Sequence, residues 1–256
     1  MVEEKMKRGG RVVLVLQARM GSTRLPGKSM LDLAGVPLVG RMIERLKRAN
    51  LLDEIVLATT LKAEDDILEK LAADVQISCF RGSEDDLVDR YYQAASQFDA
   101  DFIVRIPGDN PVIEPSEVDR IVEFHQMSDF DFSSNVIDFM GNGYPDGIGA
   151  EIFDFRALEI VWREVKDPYN REHIATNFYD YIGRRPASPG KFRIGTVPCP
   201  KEFSRPDVVL DVNTEEEYQF MRELYEYLSP RNRNFHITDV IDWYDNIYKQ
   251  KGISDG

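Results

Sequence analysis

Arg11-Val-Val-Leu-Val-Leu-Gln17-Ala18-Arg19-Met20-Gly21-Ser22-Thr23-Arg24-Leu25-Pro26-Gly27-Lys28 is the stretch on which the fold turns. Five consecutive apolar residues, Val12 to Leu16, are too few for a free-standing helix and rich in β-branching. They predict a strand buried on both faces, as in parallel sheets. The twelve residues from Gln17 to Lys28 then hold two glycines, a serine, a threonine, a proline and three cations. Glycine permits tight turns and close backbone approach, so such a segment can present free N–H groups in a concavity. Arg19, Arg24 and Lys28 add positive charge, arginine as a bidentate phosphate ligand and lysine as a mobile point charge. A strand running into a basic, glycine-containing loop is the physical description of a polyphosphate cradle. The competing reading is a surface loop with solvated charges, and the buried strand directly before the string argues against it.

The loop carries neither G-x-x-x-x-G-K-[ST] nor G-x-G-x-x-G. The segment Gln17-Ala-Arg-Met-Gly-Ser-Thr-Arg-Leu-Pro-Gly-Lys28 instead resembles the signature of the sugar-acid cytidylyltransferases, strand–Q/P-A-R-x-G-S-x-R-L-P-x-K. The resemblance implies that Gln17, Ala18, Arg19, Gly21, Ser22, Arg24 and Lys28 hold the triphosphate of CTP, with Arg19 and Lys28 also stabilising the reacting phosphates.

At 256 residues, 43% apolar and 30% charged, the composition is that of a soluble globular protein. No apolar run approaches the ~18–20 residues needed to span a bilayer, and Met1 to Gly10 is too polar for a secretory signal. The net charge of −13 argues against a general nucleic-acid binder and requires any phosphate site to be locally basic. Cys79 and Cys199 stand far apart, outside metal-ligand spacing, which fits a reducing cytoplasm. His125, His173 and His236 are scattered and suggest no zinc site.

Beyond the loop, Pro37 suits a first helical turn, and Leu38, Val39, Met42, Ile43 and Leu46 form one apolar stripe. Ile55 to Ala58 predicts a second buried strand, so the chain opens with a right-handed βαβ unit. A helix over 64–72, a strand over 75–80, a capping box at Ser83 and Asp86, and a strand over 102–106 continue the alternation. A helix begins at Pro115. To about Gln126 this predicts a mostly parallel, doubly wound Rossmann-like α/β sheet in three layers. Further on, strands are expected over 130–137, 150–155, 192–197 and 206–214, and helices over 157–165, 171–181, 214–228 and 238–248. With no low-complexity linker and no repeat, one domain is expected. Residues 1–10 would be a tail, and about 130–200 an irregular acceptor or dimerisation region.

Nucleotidyl transfer needs a cationic cradle and a divalent metal, and Mg²⁺ usually takes one or two carboxylates while keeping several waters. In an open α/β sheet such ligands lie beyond the carboxyl ends of strands. Asp109, in Ile106-Pro-Gly-Asp-Asn-Pro111, and Asp211, in Val209-Leu-Asp-Val-Asn-Thr214, meet that condition, although turn-forming or capping would also explain an aspartate at either place. The family resemblance assigns both as metal-binding, catalytic aspartates, with Asp109 also beside the nucleotide. Arg81 to Arg90 resembles the family segment x-R-G-S-E-D-D-V-L-x-R near the cytosine, which makes Arg81 and Ser83 base-site candidates. Tyr144-Pro-Asp-Gly-Ile-Gly-Ala-Glu151 and Asn170-Arg-Glu-His173 look like the P-D-G-x-x-x-E and R-E-H segments of the spore-coat polysaccharide branch, where Leu-Asp-Val usually stands in place of Ile148-Gly-Ala150. Asn110, Glu151, Arg171 and His173 are the acceptor-site candidates.

The resemblance, which covers Val12 to about Tyr248, implies a homodimeric, Mg²⁺-dependent enzyme that transfers CMP from CTP to a small acidic acceptor in surface glycan synthesis. Two other readings remain at this point. A glycosyltransferase would want an Asp-x-Asp at a strand end, for which Asp129-Phe-Asp131 is the candidate. A catalytically idle nucleotide-binding module would not need Lys28, Asp109 and Asp211 together.

Overall fold

The computed structural model describes residues 7–136 and 139–250. Its frame is a seven-stranded sheet. Strand β1 (Val12–Gln17) is buried on both faces at the centre. A short antiparallel pair, β2 (Asp32–Leu33) with β3 (Val36–Pro37), leads into helix α1 (Leu38–Leu46). Strand β4 (Glu54–Thr60) lies parallel to β1, then come α2 (Asp66–Asp74) and β5 (Ser78–Gly82), parallel to β4. Helix α3 (Leu87–Gln97) returns the chain to β6 (Phe102–Pro107), which pairs in parallel with the other edge of β1. Because β4 and β6 flank β1 on opposite sides, the strand order reverses there. A crevice therefore opens beyond the carboxyl ends of β1 and β6, where ligands bind in sheets of this kind.

Helix α4 (Pro115–Gln126) is followed by β7 (Phe132–Ser134) and β8 (Glu151–Asp154). Strand β8 inserts between β6 and β7 and is antiparallel to both. Next come α5 (Phe155–Glu164), α6 (Pro168–Glu172), the short pair β9 (Tyr179–Asp180) and β10 (Arg185–Pro186), and β11 (Ile194–Gly195) beside β7. Helices α7 (Glu215–Leu228) and α8 (Ile237–Trp243) close the described chain. Alternate residues of β1 feed two cores. Val12, Leu14 and Leu16 meet the apolar faces of α1, α2, α4, α7 and α8, whereas Val13 and Val15 meet α3 and α5. This is the three-layer α/β/α arrangement that the apolar runs predict.

Several local expectations are corrected. The strand expected over 75–80 starts at Ser78, because Gln76, at φ 56°, ends the preceding helix in a left-handed turn. The strand expected over 130–137 spans only Phe132–Ser134, and residues 137 and 138 lie outside the described set. No continuous helix covers 171–181. After α6, the Thr176 hydroxyl bonds to the His173 carbonyl, and Asn177 Nδ2 donates to the carbonyls of Asn170 and Ile174. These side chains satisfy the backbone in place of a helical ladder. The segment 206–214 is extended, yet no strand ladder forms along it. It crosses the crevice with one bond at each side, Asp146 N to Val208 O (2.9 Å) and Val212 N to Asp109 O (2.8 Å). The last helix is α only to Trp243 and continues as a wider π turn, Tyr244–Tyr248.

The expected tail is also partly structured. Residues 1–6 lie outside the described set, but Arg8 is tied down: it pairs with Asp154 (2.9 Å) and donates to the His125 and Phe130 carbonyls.

Candidate active site

The loop after β1 is held by its own backbone and by one buried acid. Ala18 N continues the sheet to Ala58 O, and Gly27, in the left-handed region at φ 73°, returns its N–H to Met20 O. Asp65, on the turn before α2, accepts from Met20 N (2.7 Å) and from both the N–H and the hydroxyl of Thr60, fastening the loop to the tip of β4. Among the described residues, the N–H groups of Arg19, Gly21, Thr23 and Arg24 find no protein acceptor. These unpartnered donors lie beside Arg19, Arg24 and Lys28, an arrangement able to take an anion.

The loop borders a cleft of about 290 Å³, lined by Gln17, Arg19, Arg24 and Lys28 together with Arg105, Asp109, Glu172 and His173. Lys28 Nζ lies 3.3 Å from Asp109 Oδ2 and 3.2 Å from Asn213 Oδ1. Arg24 Nη2 donates to the same Asn213 oxygen (2.8 Å), and Asn213 Nδ2 donates to Asp211. Asn213 is positioned by the start of α7, where Thr214 and Glu217 form the expected capping box and Glu217 Oε2 also accepts from Asn213 N (2.7 Å). A helix cap thus fixes the residue that joins loop, lysine and aspartate.

Asp211 is crowded by acid. Burial, then the charges of Asp146, Asp109 and Glu217, push its carboxyl up to about 6. Among the described residues no group of three or more His, Cys, Asp or Glu side chains could hold a metal by itself. A cation here would need oxygen ligands from outside the protein.

Asp109 reaches the cleft because Gly108 lets β6 end against β1. A Cβ on Gly108 would stand 2.5 Å from the Gln17 carbonyl oxygen. We expect Gly108→Ala to displace both strand tips and to cost about 1–3 kcal/mol in denaturant unfolding, with nucleotide affinity falling in parallel.

Other anticipated residues stand elsewhere. Arg81 is outside the cleft, with its guanidinium bonded to Asp66 (2.6 Å), Glu69 (2.9 Å) and the Thr60 and Lys62 carbonyls. Ser83 Oγ accepts from Asp86 N, and Asp86 is the true cap of α3, accepting from Asp89 N. Asn110 is buried beneath the cleft and Gly21 lies at its edge without lining it. Glu151 does not face the cleft but pairs from below with Arg105 and accepts from the Tyr181 hydroxyl (2.5 Å). Arg171 braces α6 by bonding Asp86 (2.7 Å) and the Trp162 and Val165 carbonyls, which leaves its neighbours Glu172 and His173 in the cleft. A Cβ on Gly149 would stand 2.1 Å from the Asn135 carbonyl oxygen, so the glycine that departs from the spore-coat pattern is a packing requirement. Asp131 accepts from Arg193 N at the edge of the sheet and does not line the cleft, which removes the Asp-x-Asp argument for a glycosyltransferase.

Sequence reasoning missed Glu84, Arg90, Arg105 and Asn213 as lining residues. Their signals were present: an arginine inside the apolar run Phe102-Ile-Val-Arg-Ile106, and polar members of segments already singled out.

Comparison with known proteins agrees with this geometry. The family model described as Cytidylyltransferase matches residues 13–241. The chain is 31% identical to the spore coat polysaccharide biosynthesis protein SpsF of Bacillus subtilis over 86% of this chain and 88% of that one. It superposes on the structure of a cytidylyltransferase from Leptospira borgpetersenii with a TM-score of 0.81 and 32% identity, covering 95% and 96% of the two chains. The fold is shared, at 18% identity and a TM-score of 0.62 over 84% of this chain and 98% of the other, with CMP:2-keto-3-deoxy-manno-octonic acid synthetase complexed with CTP.

Proposed function

Since this chain belongs to the cytidylyltransferase family, we propose that it transfers CMP from CTP to the oxygen of a small acidic sugar or similar acid, for use in surface polysaccharide synthesis. The observation that carries this reading is the cleft itself, where unpartnered backbone donors and three cations meet Asp109, with Asp211 joined to them through Asn213. The acidic-sugar acceptor is supported by the fold shared with the octonic acid synthetase, and the polysaccharide context by the likeness to SpsF.

In this reaction an acceptor oxygen attacks the α-phosphorus of CTP, the bond to the β-phosphate oxygen breaks, and pyrophosphate leaves. The backbone donors and Arg24 hold the triphosphate, and Lys28 and Arg19 offset the charge that builds on it. The carboxylate crowding at Asp211 fits a cation, because opposite charge would relieve the repulsion that raises its proton affinity. Asp109 and Asp211 are the residues that would hold Mg²⁺, whose contribution is to neutralise phosphate charge. Arg105, Glu172 and His173 form the wall that receives the acceptor.

The test is pyrophosphate release from each of the four nucleoside triphosphates with Mg²⁺, across sugar acids and small phosphorylated acids. Release from CTP alone, dependent on one acceptor, is the expected result. A chain that binds no triphosphate in calorimetry would sink the reading at its first loop.

A further inference from the structure

Arg90 sits in the first half of α3, only 4% exposed, and lines the cleft on the side of β1, β4 and β5. Its Nε and Nη1 are buried and have no hydrogen-bond partner. Other buried arginines are well partnered. Arg41 bonds to Glu44 and the Leu33 and Ala34 carbonyls. Arg45 bonds to Glu114 and the Ile113 and Phe235 carbonyls. Arg105 also has an unpartnered Nε, but its charge is paired with Glu151 through Nη1, whereas among the described residues no carboxylate pairs with Arg90.

Near Arg90 the acids are committed to other groups, Asp65 to Met20 and Thr60, and Glu84 to Arg19 (3.5 Å) and Lys62 (2.6 Å). Burial disfavours the Arg90 charge, and neighbouring Arg19 adds to this, while Tyr91, Asp65 and Glu84 offset it in part. The stem has been given room: a Cβ on Gly82, at the end of β5, would stand 3.1 Å from Arg90 Cγ. A buried cation without a counter-charge is costly, and a fold usually pairs one or leaves it in water. Here two cations, Arg19 and Arg90, share the nucleotide side of one cleft.

We propose that Arg90 is a further nucleotide-binding residue, whose missing counter-charge is a phosphate of the bound triphosphate. The inference rests on the reading of this cleft as a nucleotide site and adds to it a residue from the helix behind the loop. It implies that the empty protein carries a strain that ligand relieves, because the guanidinium finds its partner only when phosphate enters.

The experiment compares Arg90→Met, close in volume and uncharged, and Arg90→Lys with the wild type. Calorimetry without metal measures the affinity for CTP and for inorganic tripolyphosphate, and thermal unfolding is followed on the free proteins. In Arg90→Met both ligands should weaken by about 10- to 100-fold and in the same proportion, as expected for removal of a charged hydrogen bond. The free variant should melt at or above the wild-type temperature, and Arg90→Lys should recover part of both affinities. If Arg90→Met weakens CTP alone and leaves tripolyphosphate unchanged, Arg90 touches the base or sugar and the proposal fails. Unchanged affinity for both ligands assigns Arg90 a structural role and overturns it as well. Should the methionine variant not fold, the same pair of affinities in Arg90→Lys decides, since putting a shorter, non-planar cation against a phosphate weakens both ligands together. A wild type that binds neither ligand, with or without Mg²⁺, refutes the nucleotide reading of the whole cleft, a failure separate from that of Arg90.

Discussion

Lys28→Ala should lower acceptor-dependent pyrophosphate release from CTP by about 100- to 1000-fold, the scale seen when one preorganised charge-stabilising donor is removed. The side chain is 12% exposed, and its ammonium is shared between Asp109 and Asn213 at hydrogen-bond distance. Desolvation of that degree makes its charge act more strongly on a bound phosphate than a solvated lysine could. The same substitution leaves Asp109 without its cation in a site where Asp211 already feels the charges of Asp146, Asp109 and Glu217. The free variant should therefore lose about 1 kcal/mol in denaturant unfolding, a partly buried ion pair being worth little more. Chain integrity and turnover thus separate clearly: a variant that unfolds with nearly wild-type stability and still turns over at the wild-type rate would remove Lys28 from the chemistry.

Asp211→Asn should act in opposite directions on stability and on activity. The Asp211 carboxyl titrates at about 6, well above the ordinary 3.8, first through burial and then through the neighbouring carboxylates. Between those two values the folded chain binds more protons than the unfolded one, so stability falls as pH rises through that window. At pH 7 the ionised group is a burden, and its removal should stabilise the free protein by about 1–2 kcal/mol once solvent screening is allowed for. The gain should vanish below about pH 4, where the wild-type carboxyl is protonated in both states. Activity should fall by about 100-fold or more, because a carboxamide is a poor ligand for a hard divalent cation. The measurements are urea unfolding at about pH 4, 5, 6 and 7, spanning the two titrations, and a Mg²⁺ titration of turnover. A variant that is less stable than the wild type at pH 7 would contradict the crowding argument, whatever its activity.

What could be read in the sequence follows from how local each determinant is. The apolar run Val12 to Leu16 and the polar loop after it carry their own structure: a buried strand needs only its apolar residues, and the loop is fixed by its own turns. The capping box Thr214-Glu217 was legible for the same reason. Asp109 was legible because Pro107-Gly108 marks the end of a strand, and Asp211 because an apolar alternation, Val208, Leu210 and Val212, precedes and surrounds it. That alternation signals burial and says nothing of a hydrogen-bonding neighbour, so the segment looked like a strand although single bonds at Val208 and Val212, not a ladder, tie it to its neighbours.

Arg81 and Glu151 show a second limit. A charged residue in a motif-like string is a candidate for ligand or for partner, and only tertiary placement decides between the two. Arg81 found Asp66 and Glu69 on α2, and Glu151 found Arg105 one strand away. Arg90 shows the converse, since the absence of a partner for a buried side chain cannot be read from the order of residues.

The reversal of β8 has a bearing on how a chain of this layout can vary. Since β8 runs against its neighbours, it starts at Glu151, paired from below with the cleft residue Arg105, and leaves at Asp154 at the other end of the sheet, beside Phe102. The chain must then travel back through α5 before it can contribute to the cleft again, and it does so with the end of a short helix braced by Arg171. The loop from 17 to 28 is instead held between β1 and the short pair β2–β3, so one inserted residue there would carry Lys28 away from Asp109. The exposed residues of the segment from 165 to 173 lie outside the strand register and can change without moving any strand of the main sheet, whereas Ile174 and Phe178 return to the core. Historical drift in the molecule accepted by such an enzyme would therefore accumulate on that returning segment, while the hold on the donor stays geometrically unchanged.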